Sequence, residues 1–234
     1  MKILKIISTR LSKVCYNINI ENQKEKFVKV KDLVLYQVAT DRNYKVGDIL
    51  EFNKDIPNGQ FNRVFNTDFK LNNIRPSDEM YAVTKRKLKK FKSKNDIYSI
   101  AHILECYDVV IKEIALEEVR KELFPNLPSR LHCMYLSISK EIALKNVKSM
   151  ANSKEKNGKL FQAVAVKLNG TIFKAGKVYV SREGESYAYY KEKAKAYWKQ
   201  RGLKDEEVKE ILFEGTAEIV EILDEYPDKS IDKH

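Results

Sequence analysis

The sequence predicts an α+β chain organised around an antiparallel sheet, and three observations carry that expectation. Short apolar and polar pieces alternate with period two over the first forty residues, and a single long helical pattern follows. The second half then mixes strand patterns with short helices instead of repeating a strand-helix-strand unit. With 43% hydrophobic and 33% charged residues in 234, the chain has enough apolar material for a core without metal or disulfide staples. Only 8 glycines and 5 prolines argue against linker-rich or solenoid architectures.

In chain order, residues 2–7, 14–20, 27–30 and 33–39 read as strands, being rich in Val, Ile, Tyr and Phe at alternate positions. Residues 1–30 are expected to form an N-terminal β extension and 31–223 the main domain. Residues 53–73, rich in Asn, Asp and Phe around Pro57-Asn58-Gly59, read as a long loop. From 96 to 123 the positions Ile97, Ile100, Leu104, Tyr107, Ile111, Ile114, Leu116 and Val119 keep helical spacing, and the pattern closes before Pro125. Residues 131–137 read as a strand. A helix then runs to Met150, with Ser139 as its N-cap and Glu141 in its first turn. Residues 160–168 alternate as a strand and meet Asn169-Gly170, a strong hairpin signal, with strands expected again at 171–173 and 177–180. A helix at 186–201 is stopped by Gly202, and 205–209 adds a helical turn. Residues 211–213 and 216–223 read as two strand pieces around Gly215, and 224–234 is a polar tail.

The net charge of +11 favours an anionic partner, but seven of those charges lie in the decapeptide KRKLKKFKSK, from Lys85 to Lys94, leaving +4 for the rest. That run could track nucleic-acid phosphates with Phe91 as a stacking ring, or be a solvated surface segment. No apolar run has the ~18 residues of a membrane helix, and 1–8 is too short for a secretory leader, so the expected location is cytoplasmic. The three cysteines, Cys15, Cys106 and Cys133, have no metal-ligand spacing. GxGxxG, HExxH and GxSxG are all absent, and residues 170–177 (GTIFKAGK) fail the phosphate-loop spacing and lack its closing Ser or Thr. These absences remove support for common dehydrogenase, metalloprotease, hydrolase and kinase chemistries. A Cys-His dyad is arithmetically open, with His102 on the long helix and His132 next to Cys133 in a strand, but it has no accompanying signature.

Three separated segments together resemble the ADP-ribosyltransferase superfamily. The first is Leu35-Tyr36-Gln37-Val38-Ala39-Thr40 followed by Gly47-Asp48-Ile49, similar to that fold's opening strand, with Gln37 where His or Arg is expected. The second is Pro128-Ser129-Arg130-Leu131 leading into Tyr135, Ser137 and Ser139, similar to a largely uncharacterised bacterial and phage-associated branch. The third is Glu210-Ile211-Leu212-Phe213-Glu214 followed by Ala217 to Ile222, with Tyr197-Trp198 before it.

The resemblance implies a split antiparallel sheet with a long helix and short peripheral helices. It also implies NAD as substrate, and a macromolecular acceptor that could be nucleic acid bound through residues 85–94. A toxin or phage-defence role, with a neutralising partner protein, would go with it. It assigns Glu210 as the catalytic carboxylate, with Glu214 as the fallback, and Tyr36, Gln37, Thr40, Ser129, Arg130, Tyr135 and Ser137 to NAD. Gln37 can donate a hydrogen bond but supplies no charge to a phosphate. Arg130 has two readings: a pyrophosphate ligand, or a buried salt bridge tying its turn to the long helix. Glu210 also closes a charged run, 205–210, whose plain reading is a solvated helix cap, and Trp198 is equally a core residue. The alternatives are a non-catalytic basic nucleic-acid-binding protein and an inactive protein of the transferase fold.

Overall fold

The computed structural model describes residues 27–66, 94–152, 159–181, 183–200 and 209–226. The strands expected at 2–7 and 14–20, most of the lysine run, the turn at 205–208 and most of the polar tail lie outside the described residues. The rest is α+β with an antiparallel sheet, as the patterning predicts.

Among the described residues the sheet has five strands: β1 (Val28–Thr40), β2 (Ile49–Phe52), β3 (Met134–Leu136), β4 (Phe161–Gly176) and β5 (Lys209–Tyr226). The order is β1-β4-β5-β2, every pairing is antiparallel, and β3 shares with β2 the outer edge of β5. Just past β3, Ser137 and Tyr36 of β1 exchange both backbone hydrogen bonds, at 2.7 and 3.2 Å. The opposite edges of the sheet therefore meet, and the sheet closes on itself along that stretch.

Alternation sorts the side chains onto two faces. Leu35, Leu136, Val164, Val166, Phe213 and Ile219 point inward and form one buried core. The outer face carries helices α1 (Lys94–Leu123), α2 (Lys140–Ala151) and α3 (Tyr187–Trp198). Leu116 and Val119 of α1 and Ala194, Tyr197 and Trp198 of α3 pack on Phe173, Ala175 and Leu212, while Val147 of α2 packs on Phe161 and Ala163. The Ser139 hydroxyl accepts from the Ile142 amide and Ser186 does the same for Tyr189, so both short helices begin at polar caps.

Five local expectations need correction. The pieces at 27–30 and 33–39 are one strand, bulged at Asp32, whose φ is 53°. Asn169-Gly170 is no hairpin: β4 runs straight through it. The reason is tertiary, because the Asn169 side chain accepts from the bulged Asp32 amide at 3.0 Å, and Gly170 lies opposite Gly215 of β5. A Cβ on Gly170 would sit 2.2 Å from the Glu214 carbonyl oxygen, so the two strands approach there as only glycine permits. The pieces around Gly215 are likewise one strand, with Gly215 at φ 138°. Residues 177–180 form a 3₁₀ turn, and the expected loop at 53–73 turns helical over 59–66, capped by Asn58.

Candidate functional site

Glu210 enters β5 on the outer face, the side that carries Leu212 and meets α1 and α3. Opposite it stands Arg130, in the turn that leads into β3. That turn is fixed by Asn58, whose side-chain amide donates to the carbonyls of Arg130 and Cys133, both at 2.8 Å, and whose backbone amide donates to Leu131 at 2.9 Å. Because Tyr135 lies on β3 beside Leu212, its ring reaches the same place, and its hydroxyl donates to the Arg130 carbonyl at 2.6 Å.

The Arg130 guanidinium is the hub. Its Nε and Nη2 donate to the two oxygens of Glu113 on α1, at 2.9 and 3.1 Å. Its Nη1 donates to Tyr197 Oη at 2.9 Å and to Glu210 Oε1. Tyr197 in turn donates to the same Glu210 oxygen at 2.5 Å. The rings of Tyr135 and Tyr197 both lie 5.2 Å from the guanidinium carbon. Lys112 adds a second cation, 3.5 Å from Glu113 and donating to the Val180 carbonyl at 3.0 Å.

Two cations and two carboxylates thus sum to zero inside the protein, the condition under which buried charge is tolerated. Burial alone would lower the Arg130 pKa, but Glu113 and Glu210 hold it well above its ordinary value. Burial would raise the Glu113 carboxyl, and Arg130 and Lys112 reverse this and hold it below the usual carboxylate range. Burial pushes both phenols, Tyr135 and Tyr197, well up, so they remain hydroxyl donors. Every hydrogen bond to Glu210 among the described residues lands on Oε1. Oε2 accepts none from the described residues, and a tenth of the side chain stays exposed.

A second carboxylate group adjoins the same turn. Ser129 donates through its amide to Glu214 Oε1 at 3.1 Å and through its hydroxyl to Glu117 at 2.9 Å, and Glu117 is held by both prongs of Arg120. Ser129, Arg130, Tyr135 and Glu210 are therefore brought together, with Glu214 close to them. The β1 candidates stand elsewhere. The Tyr36 phenol is raised by burial and by Glu141 and Glu221 near the start of α2. The Gln37 Oε1 is buried with no partner among the described residues, and Thr40 pairs with Phe161 at the end of β1. Ser137 meets Tyr36 through backbone alone.

Of the two readings of Arg130, the buried salt bridge to the long helix is the one present, through Glu113. Trp198 is fully buried and donates to the Leu116 carbonyl at 2.8 Å, as a core residue does. Cys133 is also buried, which raises its thiol well above the ordinary value and leaves no thiolate for a dyad with His132. Sequence reasoning missed Glu113 and Lys112, and it noted Tyr197 only as part of the third segment, with no role. The apolar stripe read from the sequence includes Leu104, Tyr107 and Ile111, which are exposed, whereas the buried face of α1 runs through Ile103, Cys106, Val109 and Leu116 and takes in position 113.

No described helix is long and apolar enough to cross a membrane, and among the described residues no group of His, Cys, Asp and Glu could hold a metal ion. A family profile described as a protein of unknown function (DUF2441) matches residues 35–225. No curated protein matches the chain.

Proposed function

The chain belongs to that family, which brings no activity with it, and we propose from its own residues that it transfers ADP-ribose from NAD. One observation carries this reading: the three segments that resemble ADP-ribosyltransferases converge in space. The first meets the second at the Tyr36–Ser137 bridge, the second pairs with the third along β3 and β5, and Gly47 and Asp48 bond to Ile219 of the third. The Glu210 carboxylate stands where the second and third segments meet, with Oε1 anchored by Arg130 and Tyr197 and Oε2 accepting no hydrogen bond from the described residues.

The reaction breaks the bond between ribose C1′ and the nicotinamide nitrogen, and the bonding electron pair leaves with nicotinamide. The acceptor's nucleophilic atom then bonds to C1′ and releases its proton. Positive charge builds on the ribose only in the transition state, and an ionised carboxylate beside it lowers that barrier more than it tightens binding. Glu210 Oε2 is the atom for this role, and Oε1, pinned by Arg130 and Tyr197, sets its direction. In this reading Arg130 orients Glu210 and does not bind the pyrophosphate, because four of its five N–H donors already face protein oxygens.

The test is nicotinamide release from NAD by the purified protein, with and without cell lysate, beside Glu210→Gln and Glu214→Gln. The expected result is a loss of roughly a hundredfold or more in Glu210→Gln, with NAD still raising the melting temperature. If no mixture consumes NAD and NAD confers no thermal protection, the reading is lost. Salt-sensitive nucleic-acid binding, indifferent to NAD, would then support a basic binding protein.

A further inference from the structure

We infer that Glu113, on the buried face of α1, is a positioning residue that keeps the Glu210 charge available for chemistry; this rests on the reading just given. The argument is one of shared charge. A guanidinium facing a single carboxylate forms a tight pair and quenches its negative field. Here the two-pronged contact goes to Glu113 instead, at 2.9 and 3.1 Å, and only Nη1 is turned toward Glu210. Glu113 thus takes up much of the Arg130 charge, and Glu210 is steered by a single guanidinium donor and one phenol.

Without the Glu113 charge, Lys112 and Arg130 would both be answered by Glu210 alone. The cluster would become net positive at the spot where positive charge has to develop on the substrate. Both effects act on the transition state and neither touches the bound substrate directly. They should therefore appear in kcat and leave KM nearly alone.

Tyr197 supplies an internal comparison. Its hydroxyl is a second anchor on Glu210 Oε1 and carries no formal charge. Tyr197→Phe removes a donor while leaving the charge balance intact, whereas Glu113→Gln keeps the size, removes the charge and leaves one of the two acceptors that face Arg130.

The experiment measures kcat and KM for nicotinamide release in the native protein, Glu113→Gln and Tyr197→Phe, with thermal protection by NAD for each. The expected result is a fall in kcat of about tenfold or more in Glu113→Gln, KM within about twofold, NAD protection retained, and a smaller fall in Tyr197→Phe. Native kcat in Glu113→Gln, or an equal loss in the two variants, would overturn the charge-sharing role while native turnover kept the transferase reading. If Glu113→Gln fails to fold, Tyr197→Phe decides: a rise in KM with unchanged kcat would make the cluster a substrate-binding element and overturn the assignment. Absence of turnover and of NAD protection in the native protein removes the transferase reading and this role with it.

Discussion

Replacing Arg130 by methionine keeps most of the side-chain length and removes the hub of the buried cluster. It strands Glu113, whose side chain is 1% exposed, and Glu210, at 10%, with Lys112 the only nearby cation among the described residues. Removing one partner of a buried ion pair costs about 3–5 kcal/mol, a large share of the ~5–15 kcal/mol by which a domain is stable. The cost should depend on pH with a definite sign. In the native protein Glu113 titrates below its usual range, so its contribution is complete at neutral pH and is lost as acid takes pH through that lowered value. In the variant burial would dominate and raise the carboxyl, which penalises the fold at neutral pH and relents as the group protonates. The gap between native and variant should be widest near about pH 7 and shrink toward about pH 5. Trp198 is the sole tryptophan, fully buried, with its ring 4.7 Å from that of Tyr197, so its fluorescence during urea denaturation reports on this region. A difference below about 1 kcal/mol that stays flat with pH would refute the argument, because the carboxylates would then not depend on Arg130.

Two further outcomes follow from the fold. Gly170→Ala should cost several times the ~1 kcal/mol of an ordinary glycine change, or prevent folding, because the new Cβ meets the Glu214 backbone at 2.2 Å; Gly59→Ala, with open space around it, is the control in the same thermal melt. Cys133 should resist alkylation in the native protein and react once urea unfolds it, and site-resolved mass spectrometry that found rapid native labelling would contradict its burial and raised thiol pKa.

Local pattern made the helices legible. The spacing of 96–123 gives α1 nearly to the residue, and Ser139 and Ser186 cap the next two helices because an N-cap is decided within one turn of chain. What the sequence hid was non-local. Asn169-Gly170 has the chemistry of a turn, yet its conformation is set by Asp32 and Gly215, each more than forty residues away. The same holds at the site: Arg130 and Glu210 can be picked out from their flanking residues. Glu113 sits among ordinary helix charges until the fold turns its face inward.

The strand order also governs how the chain comes together during synthesis. Leu35 on β1 pairs with Val166 on β4, and β4 in turn needs β5, which is made last among the described strands. At about 5–20 residues per second, a ribosome would take on the order of ten seconds to carry β1 to its partner. Through that interval an apolar strand has no mate, so the nascent chain is exposed to mispairing and to capture by chaperones. Such long-range pairing also places the protein among slow folders, with acquisition of structure concentrated after the C-terminal strand is released.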